Sequence, residues 1–149
     1  MRIEKVTVLG FERTNELPDR IVGNYEQLTK DSQEAGVPAP RFYVAYYDLQ
    51  HNGASDLFVR AENAISCSVN GQCEIDLYAR DDTGYRKIFS VIAQNIGLIA
   101  SSASTRDSYP ILLTNIPVGP SFAEQTLALD TSKVGAVWRW NGKSYELAR

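Results

Sequence analysis

At 149 residues, 44% hydrophobic and 22% charged, the chain is too apolar for a disordered segment. It is also long enough to bury about two thirds of its unfolded surface without a covalent staple, so one domain spanning 1–149 is expected. The net charge of −3, with both signs mixed along the chain, excludes the basic footprint that nucleic acid or an anionic membrane requires. No apolar run approaches the ~20 residues needed for membrane insertion as a helix.

Met1 to Phe11 alternates, with Ile3, Val6, Val8, Leu9 and Phe11 set among polar residues, and predicts a strand. Its apolar part, Val6 to Phe11, is too short for a signal peptide. The chain is therefore expected to be either cytosolic or a mature exported form, leader removed and a start Met supplied. Leu17-Pro18-Asp19 starts a helix over about 18–35. Ile21, Val22, Tyr25 and Leu28 form its apolar stripe, and Gly36, Pro38 and Pro40 end it. Such a helix covers one face of a sheet.

Arg41 to Leu49 is rich in aromatic and β-branched residues and reads as a strand that returns over Asp56 to Ala61. Asn52-Gly53 between them suits a two-residue type I′ turn. Both runs are apolar on both faces, which places the hairpin centrally in the sheet. Cys73 to Arg80 alternates, with Cys73, Ile75, Leu77 and Ala79 on one face and Glu74, Asp76 and Tyr78 on the other. Asp81 to Gly84 is a turn, and Tyr85 to Ala93 returns. Ile96 to Ala100, Tyr109 to Thr114 and Thr126 to Leu129 complete the middle strands.

Val134 to Trp140 and Lys143 to Leu147 form a last hairpin about Asn141-Gly142, in a register that sets Trp138 opposite Tyr145. Trp138 and Trp140 share a face as core anchors. The expected class is mainly β or α+β: an antiparallel sheet of about eight or nine strands with one amphipathic helix near the N-terminus.

Three stretches together carry a resemblance. They are the loop Gln50-His51-Asn52-Gly53-Ala54-Ser55-Asp56 between apolar strands, the Cys-x5-Cys loop, and the closing Trp138-Arg139-Trp140-Asn141-Gly142-Lys143-Ser144-Tyr145. In these the chain, from about Arg41 to Leu147, resembles small exported bacterial proteins of unknown function whose Asp-rich loops are like the calcium loops of FG-GAP repeats. The resemblance implies an exported β-rich domain with a disulfide and implies no reaction.

The residues themselves offer five constellations. Asp48, Gln50, Asn52, the Ala54 carbonyl and Asp56 match positions 1, 3, 5, 7 and 9 of a calcium loop, with Gly53 at position 6. Only Asp48 and Asp56 bring carboxylates, and position 12 is Val59. The plainer reading is that both aspartates cap backbone N–H groups, with Asp48, Asn52 and Asp56 kept as candidate calcium ligands. Cys67 and Cys73 could be a disulfide, free thiols or part of a metal site; with one histidine in the chain and no C-x-x-C, a disulfide fits best and implies an oxidising compartment. His51, the sole histidine, lies in a turn without a G-x-S-x-G elbow, so a catalytic triad is not expected. Glu74 and Asp76, near Asp81 and Asp82, share a face as a carboxylate pair, though such a face is ordinarily solvated. No glycine-rich phosphate cradle is present.

The expected function is a non-enzymatic, periplasmic or secreted binding protein with a protein partner, in one version an inhibitor or immunity protein of a secreted or periplasmic enzyme such as a cell-wall hydrolase. Its expected contact loops hold Ser68, Val69, Asn70, Gly71 and Gln72; Thr105, Arg106, Asp107 and Ser108; and Asn115, Ser121 and Phe122. No cofactor beyond a weakly supported calcium is expected. The alternatives are a calcium-binding envelope module and a hydrolase using His51 or the Glu74/Asp76 face.

Overall fold

In the computed structural model of the chain, which describes residues 2–102, 108–118 and 123–149, eleven strands form two antiparallel sheets. One sheet has the order β11-β10-β8-β7-β1-β9, made of Tyr145–Leu147, Ala136–Trp140, Ile111–Thr114, Ile96–Ile99, Ile3–Val8 and Gln125–Asp130. The other has the order β2-β3-β4-β5-β6, made of Glu12–Thr14, Arg41–Tyr47, Asp56–Glu62, Cys73–Asp81 and Gly84–Ala93. The mainly β class is as expected from the pattern, and the β3–β4 hairpin is central in its sheet. The strands divide between two sheets because the first apolar stretch does not stay in one. β1 ends at Val8, the chain crosses over Leu9–Phe11, and β2 joins the other sheet against β3. Gly10 permits the crossing, since a Cβ there would strike the backbone of Ala123 and Glu124.

The two sheets face each other over one core. Phe58, Ile75, Leu77, Phe89 and Ala93 come from the five-stranded sheet, and Leu9, Ile96, Leu98, Leu112 and Tyr145 from the six-stranded sheet or its flanks. Trp138 and Trp140 pack against this core, as anchors should. The final hairpin, however, pairs Trp140 with Tyr145 and Trp138 with Leu147. The Asn141 side chain accepts the N–H groups of Lys143 and Ser144 and lengthens the connection to 141–144, which shifts the register from the one expected of a two-residue turn. Trp138 lies edge-on to Phe89 at 5.1 Å and donates its indole N–H to Thr114 Oγ1.

The expected helix spans the predicted segment in three pieces, α1 (Asp19–Val22), a tighter 3-10 turn over Gly23–Tyr25, and α2 (Glu26–Ala35). Gly23 and Asn24 are poor helix formers, and the tightening falls there. Gly36 closes the helix at φ 69°, with the Val37 N–H returning to the Ser32 carbonyl. The buried stripe is Ile21, Tyr25 and Ser32, with Leu28 packed beside it; Val22, expected on this face, is half exposed because it sits about 100° round from Ile21. The helix lies on the outer face of the five-stranded sheet, over Leu57, Val59, Ala61 and Tyr78. No helix among the described residues is long and apolar enough to cross a membrane.

Candidate binding surface

Cys67 and Cys73 are joined, with S–S 2.08 Å and Cα atoms 3.9 Å apart, and also face each other as a single antiparallel bridge. Closing so short a ring stabilises the chain by about 2 kcal/mol in the chain-entropy account. Inside the ring, Gly71 N–H returns to the Ser68 carbonyl and Ser68 N–H to the Gln72 carbonyl. The ring thus carries a tight turn with Val69 and Asn70 at its corners, Gly71 at φ 81° completing it, and Ser68 Oγ donating to the Asn70 side chain. Val69 stands wholly in solvent, at 109% relative exposure.

The position of this turn is set by Arg60, on the central strand β4. Its guanidinium reaches the Gly71 carbonyl (3.1 Å), the Ala93 and Gln94 carbonyls (3.2 and 2.9 Å) and the Glu62 carboxylate (2.8 Å). A planar five-donor group satisfies four acceptors and locks the stapled turn against the end of β6. Gln94 adds a bond from Nε2 to the Asn70 carbonyl. Gln94 N–H in turn donates to Asn115 Oδ1, and Asn95 Nδ2 to the Ile116 carbonyl. The stapled turn, the β6–β7 connection and the start of the 115–118 loop therefore form one continuous hydrogen-bonded end of the sandwich. Three exposed apolar side chains, Ile65, Val69 and Ile92, sit on or beside its segments.

Among the contact residues expected from the sequence, the fold thus brings Ser68, Val69, Asn70, Gly71 and Gln72 together with Asn115. Asn115, at φ 53°, uses its side chain to hold Gln94, which makes it a support of this surface. Ser108 lies beyond the other end of β8 from Asn115, at the opposite end of the sheet. Thr105, Arg106, Asp107, Ser121 and Phe122 lie outside the described residues. Arg60, Gln94 and Asn95 were not expected in any functional role. The one visible signal was an arginine between Val59 and Ala61, inside a strand otherwise reading as central.

The Asp48–Asp56 loop is built differently from the expected two-residue turn. β3 ends at Tyr47 paired with Asp56, and the connection runs over 48–55. Positive φ falls at His51 (53°) and Gly53 (86°), so the type I′ pair Asn52-Gly53 is not formed. The Asp48 carboxylate accepts the N–H groups of Asn52 and Gly53 at 3.1 and 2.8 Å, and Asn52 Oδ1 accepts that of Ala54. Asp56 is 3% exposed and accepts the N–H groups of Leu49 and Arg80 at 3.2 and 2.9 Å. Burial raises its proton affinity, and those two amide donors oppose the rise. Both carboxylates are engaged by backbone, in the capping role. No group of three or more His, Cys, Asp or Glu gathers as a metal site among the described residues, and His51 is exposed.

The Glu74/Asp76 face is not solvated, because the helix lies over it. Asp76 is 1% exposed, with the Tyr25 hydroxyl donating to one carboxylate oxygen (2.7 Å) and Ser90 Oγ to the other (2.5 Å). The Tyr78 hydroxyl donates to that of Tyr25 (3.0 Å), and Asn24 Nδ2 to Tyr78. Burial, then the Asp76 charge, lifts the Tyr25 hydroxyl far above the ordinary phenol range and keeps it a donor. Glu74, half-buried beside Asp76, is lifted to about 7 by burial and then by its hydrogen bond and charge contact with Asp76, while Lys87 opposes this. The arrangement fastens the helix to the sheet. No protein-family model matches the chain, and no characterised protein and no solved structure matches it significantly.

Proposed function

We propose that the chain is a non-enzymatic binding protein of an oxidising compartment, periplasmic or secreted, that recognises a protein partner with the disulfide end of its sandwich. The observation that carries this is Val69, wholly exposed at the corner of a turn whose base is closed by Cys67–Cys73 and pinned by Arg60 and Gln94. An apolar side chain on a pre-ordered projection loses little conformational entropy when it enters a partner's cleft. That geometry suits an inhibitor or immunity protein that fills the active site of an exported enzyme, such as a cell-wall hydrolase. The disulfide supports the compartment, since such bonds persist where thiols are not kept reduced.

The test is co-purification of the tagged chain with the products of its neighbouring genes, in parallel with a Val69→Asp variant. The expected result is one partner retained by the parent chain and lost by the variant at unchanged melting temperature. Recovery of no partner, or equal recovery by both chains, counts against the reading.

A further inference from the structure

The six-stranded sheet has a second side, turned away from the sandwich core, that is also apolar. Val6, Val8, Ile99, Leu113 and Val137 form a separate cluster there, partly roofed by Ile116 and Val134. Next to that roof the face opens into a pocket of about 360 Å³. Its floor is Ile99, Ile111, Leu113 and Val137, all branched aliphatics, and no aromatic ring lines it. Its rim carries three arginines, Arg2, Arg139 and Arg149, against one acid, Glu4.

The three cations have different occupations. Arg149 donates to the Thr131 and Ser132 carbonyls and closes one side of the pocket as a strap. Arg2 lies 3.6 Å from Glu4 in an exposed pair, its side chain 72% accessible. The Arg139 guanidinium makes no hydrogen bond or ion pair among the described residues, although its backbone pairs with Glu146 in the sheet. Its cross-strand partner Glu146 instead receives the Asn141 amide. A chain of net charge −3 thus concentrates positive charge over an aliphatic floor and leaves one guanidinium unspent.

We propose that this pocket binds a free single-chain fatty acyl carboxylate, its alkyl chain over Ile99, Ile111, Leu113 and Val137 and its carboxylate on Arg139. Branched aliphatic walls without aromatic rings suit a saturated chain, and polar groups confined to the rim suit a ligand with one polar end. The volume is at the small end of ligand pockets, which run about 300–1,000 Å³, so a medium-length single chain fits and a two-chain lipid does not.

Titration calorimetry with decanoate tests this, with hexanoate, decanol and decyltrimethylammonium as comparisons and all amphiphiles kept below micelle formation. Decanoate binds saturably at one site and raises the melting temperature. Affinity grows by about fourfold per methylene from hexanoate upward, and the cationic amphiphile does not compete. Arg139→Gln weakens decanoate about tenfold and leaves the ligand-free melting temperature unchanged, since the guanidinium has no side-chain partner to lose and no second carboxylate is set opposite Glu146. Absence of saturable decanoate binding, equal binding of the cation, unchanged affinity in Arg139→Gln, or binding only to phosphatidylglycerol vesicles each overturns the proposal. None of these outcomes touches the Val69 reading, whose variant and assay concern the other surface.

Discussion

The Glu74 carboxyl, beside Asp76, should make stability fall with rising pH in a range where most proteins are insensitive. In the folded chain the Glu74 carboxyl holds its proton up to about pH 7, whereas its reference value is 4.5. Taken at face value that interval corresponds to about 3 kcal/mol. Glu74 is only half-buried, and solvent screening brings the contribution to about 1 kcal/mol. Because the folded chain binds this proton more tightly than the unfolded chain, the contribution is fully present below pH 4.5 and is lost as the pH rises through about 7. Glu74→Gln replaces the protonated carboxyl with a neutral amide that can still donate to Asp76. Urea denaturation of both proteins at about pH 5 and about pH 8 should show the parent losing about 1 kcal/mol that the variant keeps. At the higher pH the variant should be at least as stable as the parent. Every other titrating group is common to the two proteins, so the difference of slopes isolates this one. Equal slopes would refute the reasoning.

Cys67→Ser, or reduction of the parent chain, should remove about 2 kcal/mol and lower the calorimetric midpoint by about 4–8 °C. Asp56→Ala strands the buried amide hydrogen of Leu49 and the partly buried one of Arg80 and should cost about 2 kcal/mol in urea titration. Millimolar calcium should leave the parent's melting temperature unchanged, since Asp48 and Asp56 are engaged by backbone; a calcium-dependent rise would return the loop to the metal reading.

Alternation made β5 legible down to the face each residue occupies, and the capping glycine and stripe of the helix placed it over 18–35. Register was not legible where a side chain intervened. Asn52-Gly53 and Asn141-Gly142 look alike as dipeptides, yet neither makes the two-residue turn expected of it. Asp48 gathers the amides of one loop and Asn141 those of the other, and both loops lengthen accordingly. The face of Glu74 and Asp76 was misjudged for a different reason. A carboxylate pattern is read as solvated unless something covers it, and what covers it is Tyr25, about fifty positions earlier in the chain. A long-range hydrogen bond leaves no local period. The same limit hid the surface at the disulfide end. Cys67 and Cys73 marked the turn, but nothing in Gln94 or Asn115 announced that they would meet.

The strand β4 shows how the core and the candidate binding surface are linked. Asp56, Phe58 and Arg60 share its inner face, so one apolar residue is flanked by two charges pointing into the sandwich. Unpaired, either charge would be costly there. Each is satisfied by backbone at one end of the fold, Asp56 by two amide hydrogens and Arg60 by three carbonyls together with Glu62. The charges therefore fasten loops to the sheet at both ends. At the Val69 end this divides the work between two constraints. The disulfide fixes the shape of the ring, and Arg60 fixes where the ring stands. Reduction should loosen the turn around a Gly71 carbonyl still held in place, whereas loss of the guanidinium should leave an intact ring whose tip is held only by the Gln94–Asn70 bond. A partner of the proposed kind, one that reads the position of Val69, would depend more on the arginine than on the cysteines.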